Sequence, residues 1–190
     1  MSRSSAGHSV IVVPVPELET YVVERTRHYD DSFVSADPTF VHAHITLLAP
    51  FLASPTPDDL ERVGKIAAAA TAFDFELDDV RLFAGGTIYL HPEPTEPFAA
   101  LTAELSAAFP QCPPYDGLFE PVPHLTVDHI AGGVELDSTR TSLAPFLPAR
   151  CHADRVSMQW YANHGCRTIA EWPLGGAQRQ GPGADIACIT

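Results

Sequence analysis

Positive charge is scarce in this chain. Lysine and arginine number 11 against 24 aspartates and glutamates, giving a formal net charge of −13 and a pI near 4.9. Binding along a nucleic-acid duplex draws on Lys and Arg to displace condensed counterions. The balance therefore excludes long duplex nucleic acid and leaves room for a small anion in a locally neutral or positive pocket. Long apolar runs are also missing. No stretch of about 18 apolar residues exists, which excludes a transmembrane helix, and no membrane partner is expected. Residues 1–8 lack the apolar segment of a secretory signal. Cysteine is sparse: Cys112, Cys151, Cys166 and Cys188 form no C-x-x-C pair and lie at no zinc-finger spacing from a histidine. Reduced cysteines in a cytoplasmic protein are expected.

What remains suffices for a core. The 190 residues, 45% of them hydrophobic, suit one domain that can be built as two lobes. Residues 9–15 form a continuous β-branched strand, and Pro16 opens a helix to about His28. Thr56-Pro57-Asp58-Asp59 reads as a helix start: a threonine cap, proline at the first position and acids in the first turn. A strand follows from Phe73, with an irregularity at Asp78-Asp79, and Gly85-Gly86 makes a tight turn into residues 87–91. Pro97 opens a third helix, and residues 136–146 form a fourth limited by Pro145 and Pro148. Gly132-Gly133 ends the strand before it. Residues 156–161 and 167–172 pair around the Asn163-His164-Gly165 turn. About seven strands and three or four helices result. Hairpins mix with helix-strand pairs and no regular βαβ run appears, so the class is α+β with largely antiparallel sheets. Residues 1–7 read as a flexible leader, 8–174 as a single two-lobed domain and 175–190 as a flexible tail.

One short pattern occurs twice, as Val41-His42-Ala43-His44-Ile45-Thr46-Leu47-Leu48 and as Val122-Pro123-His124-Leu125-Thr126-Val127-Asp128. Both read as strands, spanning about 40–48 and 122–130. In a strand, alternate residues share a face. His44 therefore points with Thr46, and His124 with Thr126, while Ile45 and Leu125 face a core. The spacing of the copies is constant: 124 − 44 = 80 and 126 − 46 = 80. Each copy follows a strand and a helix, so an internal duplication is the simple account. Two imidazoles and two hydroxyls facing one cleft suit proton transfer at a phosphate.

At His44-Ile45-Thr46-Leu47 and Pro123-His124-Leu125-Thr126-Val127 the chain resembles the 2H phosphoesterase superfamily, which includes the bacterial 2′-5′ RNA ligase-like proteins. Its signature is two H-x-[ST]-hydrophobic motifs, and the resemblance covers roughly residues 9–174. The resemblance implies a pseudo-symmetric α+β fold with antiparallel sheets around a central cleft and helices on the outer faces. It also implies action on 2′,3′-cyclic phosphates or 2′-5′ linkages without a metal or other cofactor. His44 and His124 become the acid-base pair, and Thr46 and Thr126 the phosphate binders.

The chemistry follows from the side chains. Histidine's ordinary pKa near 6.5 lets two imidazoles hold opposite protonation states near neutrality. One takes a proton from water and the other gives one to the leaving ribose oxygen; the sequence does not assign the two roles. Threonine hydroxyls donate to the non-bridging oxygens. Run backwards with an RNA hydroxyl in place of water, the same set makes a 2′-5′ bond, so ligation is the alternative activity. A non-catalytic nucleotide-binding module is the other. The expected partner is a small nucleotide or a short RNA end with a cyclic phosphate, and the expected state is a monomer. A metal reading would gather His42, His44, His124 and Asp128, although threonine is a poor zinc ligand. His42 otherwise reads as a solvated residue at the cleft mouth. Asp128, on the His124 face, reads as an imidazole partner or an exposed acid, and His129 as structural. His91, Arg81, Arg155 and Arg167 are further candidates to meet the ligand. Tyr89, Tyr115, Phe119, Trp160 and Tyr161 are candidates to stack on a base.

Overall fold

A computed structural model describes residues 7–130 and 133–176. The leader through residue 6, Gly132, Cys188 and the tail from residue 177 lie outside the described residues. The elements run β1 (His8–Pro14), α1 (Glu19–Asp30), β2 (His44–Leu48), α2 (Pro57–Ala69), β3 (Phe73–Leu82) and β4 (Thr87–Glu93). They continue with α3 (Glu96–Ala108), β5 (Leu125–His129), α4 (Leu136–Leu143), β6 (Ala149–Ala153), β7 (Arg155–Tyr161) and β8 (Arg167–Pro173). The α+β class is as the pattern implied. No helix among the described residues is long and apolar enough to cross a membrane.

Local chemistry explains the boundaries. The α2 start is a full capping box: Thr56 Oγ1 accepts from the Asp59 N–H, the Asp59 carboxylate accepts from the Thr56 N–H, and Pro57 occupies the first turn. The irregularity expected at Asp78-Asp79 is a register shift between Leu77 and Asp79. Three expectations shift, one of them the second histidine strand, which begins at Leu125 rather than near Val122, where Pro123 has no N–H for a ladder. The first histidine strand begins at His44 rather than near Phe40, because residues 40–43 are held by a loop and by α1 instead of a ladder. Strand β6 has no counterpart in the sequence reading, since Ala-Arg-Cys-His-Ala lacks the β-branched and aromatic residues that signal a strand.

All eight strands form one antiparallel sheet in the order β6-β3-β4-β5-β2-β1-β7-β8. Its two four-stranded halves meet at β2 and β5, where the paired residues are Ile45 and Leu125. These are equivalent positions of the duplicated motif, 80 residues apart, so the pseudo-twofold axis passes through this pair. The duplication extends to a defect. The β1–β2 register slips between Ile11 and Val12, and the β4–β5 register between Ile88 and Tyr89. In each case the motif strand carries one extra residue, Leu47 in one half and Val127 in the other. A bulge of this kind reverses which face the following residues present. Helix α3 lies against β2 and α1 against β5, so each repeat's first helix covers the other repeat's motif strand. Ile45, Leu125, Ile11, Leu48, Ile88, Leu90 and Phe98 are fully buried between sheet and helices.

Candidate active site

His44 is the first residue of β2, and His124 stands one residue before β5. Carrying the antiparallel register one step each way from Ile45–Leu125 sets His44 opposite Thr126 and Thr46 opposite His124. Each hydroxyl thus stands across from the other repeat's imidazole. All four occupy the face opposite the buried Ile45 and Leu125. His44, Thr46 and His124 are half-buried and Thr126 is exposed.

Both rings are anchored in the same way. His44 Nδ1 lies 2.6 Å from the carbonyl of His42, and His124 Nδ1 lies 2.6 Å from the carbonyl of Val122. A carbonyl can only accept, so Nδ1 carries the proton in each ring. Each Nε2 is left as a lone pair in the neutral state and a donor in the charged one. The flanks differ. The Tyr161 hydroxyl lies 3.3 Å from His44 Nδ1 and donates to Gln159 Oε1 at 3.2 Å, while Gln159 Nε2 donates to the Val41 carbonyl at 2.9 Å. His124 instead meets the edges of two aromatic rings, Phe83 at 5.0 Å and Tyr89 at 5.5 Å, which stack on each other at 3.9 Å.

Burial pushes the His44 imidazole down to about 4. The His42 carbonyl works against this shift, and the nearby His124 adds to it. Burial also lowers His124, offset in part by the Val122 carbonyl. Both rings therefore favour the neutral form near pH 7, and His44 resists protonation the more strongly.

His42 is not solvated. It is 8% exposed, its Nε2 accepts from the Ser35 N–H at 3.0 Å, and its Nδ1–H donates to Glu19 Oε1 at 2.6 Å. The other Glu19 oxygen accepts from the Ala43 N–H at 2.9 Å. Burial raises the Glu19 carboxyl, but the bonds from His42 and Ala43 outweigh it and hold the group below the usual range.

Asp128 is neither an exposed acid nor an imidazole partner. The bulge at Val127 turns it to the helix side, where it is 5% exposed. There it accepts from Arg25 at 2.9 Å, from the Tyr29 hydroxyl and from Thr139 Oγ1 at 3.2 Å. His42 and Asp128 are thus committed elsewhere, and the four residues of the metal reading do not gather. His129 Nε2 donates to the Gly85 carbonyl at 3.1 Å, a structural tie.

The other candidates scatter. His91 pairs with Asp79 in the sheet and lies one strand from His124 on the same face, lowered by burial and by Arg81. Arg81 is paired with Asp79, Arg155 with Glu171 and Asp154, and Arg167 lies over the Trp160 ring. Tyr115 helps line a cavity of about 280 Å³ between α3 and the loop before His124, with Thr46 at one side. Phe119 stands 71% exposed on that loop. Sequence reasoning missed Glu19 and Phe83. Neither belongs to a motif, and the one faint signal is that Glu19 and Glu96 open corresponding helices.

The family profile of the 2′-5′ RNA ligase superfamily matches residues 14–165. No curated protein matches the chain in sequence. Among solved structures, Escherichia coli LigT complexed with 3′-AMP is 16% identical over 90% of this chain and 99% of its own, with a TM-score of 0.53. The same protein complexed with NADP+ is 16% identical over 91% of this chain and 99% of its own, also with a TM-score of 0.53. TT0787 of Thermus thermophilus is 16% identical over 90% of this chain and 100% of its own, with a TM-score of 0.54. At these identities the likeness is one of fold.

Proposed function

The chain belongs to the 2′-5′ RNA ligase superfamily, and from that premise we propose that it is a metal-independent phosphodiesterase opening the 2′,3′-cyclic phosphate of a nucleotide or short RNA end. One observation carries the reading. Each imidazole commits Nδ1 to a backbone carbonyl, which leaves Nε2 for the substrate, and each stands across the seam from the other repeat's threonine. Small nucleotides as the substrate class agree with the acidic surface and with LigT, a relative in fold that has been crystallised with 3′-AMP and NADP+.

In this mechanism water attacks phosphorus, a new P–O bond forms and one bond to a ribose oxygen breaks. His44 is the harder of the two to protonate, so its Nε2 takes the proton from water. His124 gives its Nε2 proton to the departing ribose oxygen. The Thr46 and Thr126 hydroxyls donate to the non-bridging oxygens, where charge gathers in the transition state. The donor set suits an anion better than a cation, since threonine is a poor zinc ligand.

The test is a panel of 2′,3′-cyclic nucleotides, ADP-ribose cyclic phosphate and 2′-5′ oligonucleotides, assayed in EDTA. Turnover with the chelator present is expected. Activity that disappears in EDTA and returns with zinc sinks the metal-free reading. RNA halves bearing a cyclic end separate hydrolysis from joining, and binding without turnover would leave a nucleotide-binding module.

A pH profile tests the division of roles. The productive free enzyme has His44 neutral, which requires a pH above about 4. It also has His124 protonated, which requires a pH below a value itself lower than 6.5. We expect kcat/KM for hydrolysis to peak on the acid side of neutrality and to fall as pH rises past the His124 limb. A plateau extending well above pH 7 would contradict this assignment.

A further inference from the structure

We infer that Glu19 is a positioning residue for His44: its carboxylate grips the His42 ring and the Ala43 amide at once, and so fixes the His42 carbonyl that holds the His44 imidazole. The inference deepens the two-histidine reading above and rests on it for its kinetic consequence alone. The chain of bonds is short and charge-assisted. His42 Nδ1–H donates to Glu19 Oε1 at 2.6 Å, and the Ala43 N–H donates to Oε2 at 2.9 Å. The Ser35 N–H, donating to His42 Nε2, fixes which ring nitrogen of His42 keeps its proton. The peptide unit between His42 and Ala43 contains the carbonyl that accepts from His44 Nδ1. That unit is therefore held at its amide, and its residue is held at the side chain, by one carboxylate. Hydrogen bonds to an ionised acceptor are about twice as strong as neutral ones. A reacting group needs such support to stay within a fraction of an ångström of its productive place.

The second repeat supplies an internal comparison. Glu96 opens α3 as Glu19 opens α1, and 96 − 19 = 77 is the offset that also relates the bulge positions Ile11 and Ile88. Val122 and Pro123 stand where the first repeat has His42 and Ala43. The valine side chain has no donor and the proline nitrogen has no hydrogen, so a carboxylate there has nothing to grip. Glu96 is exposed. Among the described residues, no carboxylate clamps the Val122 carbonyl that anchors His124. The duplicated anchor is thus reinforced on one side, at the histidine assigned as the base.

The titratable and charged groups facing His44 are Glu19 from α1, His42 on the approach to β2, His124 across the seam and Tyr161 from β7. The Glu19 carboxylate favours the charged form of His44, while His124 and His42 oppose it. Removing the Glu19 charge should therefore move His44 further down.

The decisive experiment follows the histidine ring nitrogens by NMR through an acid titration, alongside steady-state kinetics. Glu19→Gln has one acceptor for two donors, so its amide nitrogen must face the His42 ring or the Ala43 N–H. The expected result is a mixed His44 tautomer and a lower titration midpoint, with His124 signals unchanged. Kinetically, kcat should fall about tenfold, within the loss that small misplacement of a catalytic group causes, with KM altered less than about twofold. Glu19→Asp keeps the charge but is one methylene too short to span both donors, so the midpoint should recover while kcat stays low. It also carries the test if Glu19→Gln fails to fold. Glu96→Gln should change none of these readouts. A folded Glu19→Gln protein with the wild-type His44 tautomer and midpoint overturns the inference. Absence of turnover in the wild-type protein would overturn the phosphodiesterase reading instead, and the NMR result would still decide the role of Glu19.

Discussion

Alanine at His44 or at His124 is expected to lower kcat/KM by about 10²–10⁴-fold, the usual worth of one positioned proton donor or acceptor. The double variant should be little worse than either single one, because groups that act on one transition state do not contribute independently. Folding should survive. Both rings are half-buried on the open face of the sheet, and the core contacts of their strands are made by Ile45 and Leu125 on the other side. The stability effect has a definite sign. The His44 value is lower folded than unfolded, so between about 4 and 6.5 the unfolded chain binds a proton that the native ring refuses. That contribution erodes stability as pH falls through this window and vanishes above it. His44→Ala removes it, and the variant should lose less stability than the wild-type protein between neutral pH and pH 4.5. Urea titrations at the two pH values measure this. Near-normal turnover by either alanine variant on a confirmed substrate would remove the mechanism.

The second large effect is expected at Asp128. This carboxylate is almost wholly enclosed and joins α1, through Arg25 and Tyr29, to α4, through Thr139. Burial alone would raise it, yet the Tyr29 and Arg25 bonds hold it below the usual carboxylate range. Asp128→Ala leaves the Arg25 guanidinium without its counter-ion and the Thr139 hydroxyl without its acceptor, while the Tyr29 hydroxyl keeps the His129 carbonyl at 3.1 Å. Breaking an enclosed pair from one side costs about 3–5 kcal/mol, and the partial exposure of Arg25 places this case near the lower end. The corresponding residue of the first repeat is Leu48, which is fully buried. The Arg25→Met, Asp128→Leu double variant should therefore recover most of the loss, since an apolar pair can replace an ionic one at little net cost. Urea denaturation of the three proteins gives the comparison. A loss under about 1 kcal/mol for Asp128→Ala would show that the pair is a passenger, in the range of exposed bridges.

These two sites also mark what could be read from the chain and what could not. That the histidines and threonines share one face is legible because strand alternation and an 80-residue repeat are local, countable properties. The same alternation misplaced Asp128. One extra residue at Val127 inverts the faces beyond it, and nothing in the composition of the segment announces a bulge. The burial of His42 is illegible in the sequence for a different reason. Its partners, Glu19 and Ser35, come from an earlier helix and a loop, and only the folded chain brings them to it. Strand β6 is not legible in the sequence because it gains its place by pairing with β3 along residues 73–77 rather than by its own propensity.

The seam at Ile45 and Leu125 carries a last consequence. A half-turn about that rung exchanges one imidazole-hydroxyl couple for the other, so under the proposed function a phosphate would meet nearly the same four groups whichever way round it docked. Productive orientation must then be chosen at the periphery, where a tyrosine-glutamine relay flanks one ring and an aromatic pair flanks the other. Swapping those peripheral side chains, with the inner four untouched, is the change that should reverse which end of a substrate leaves.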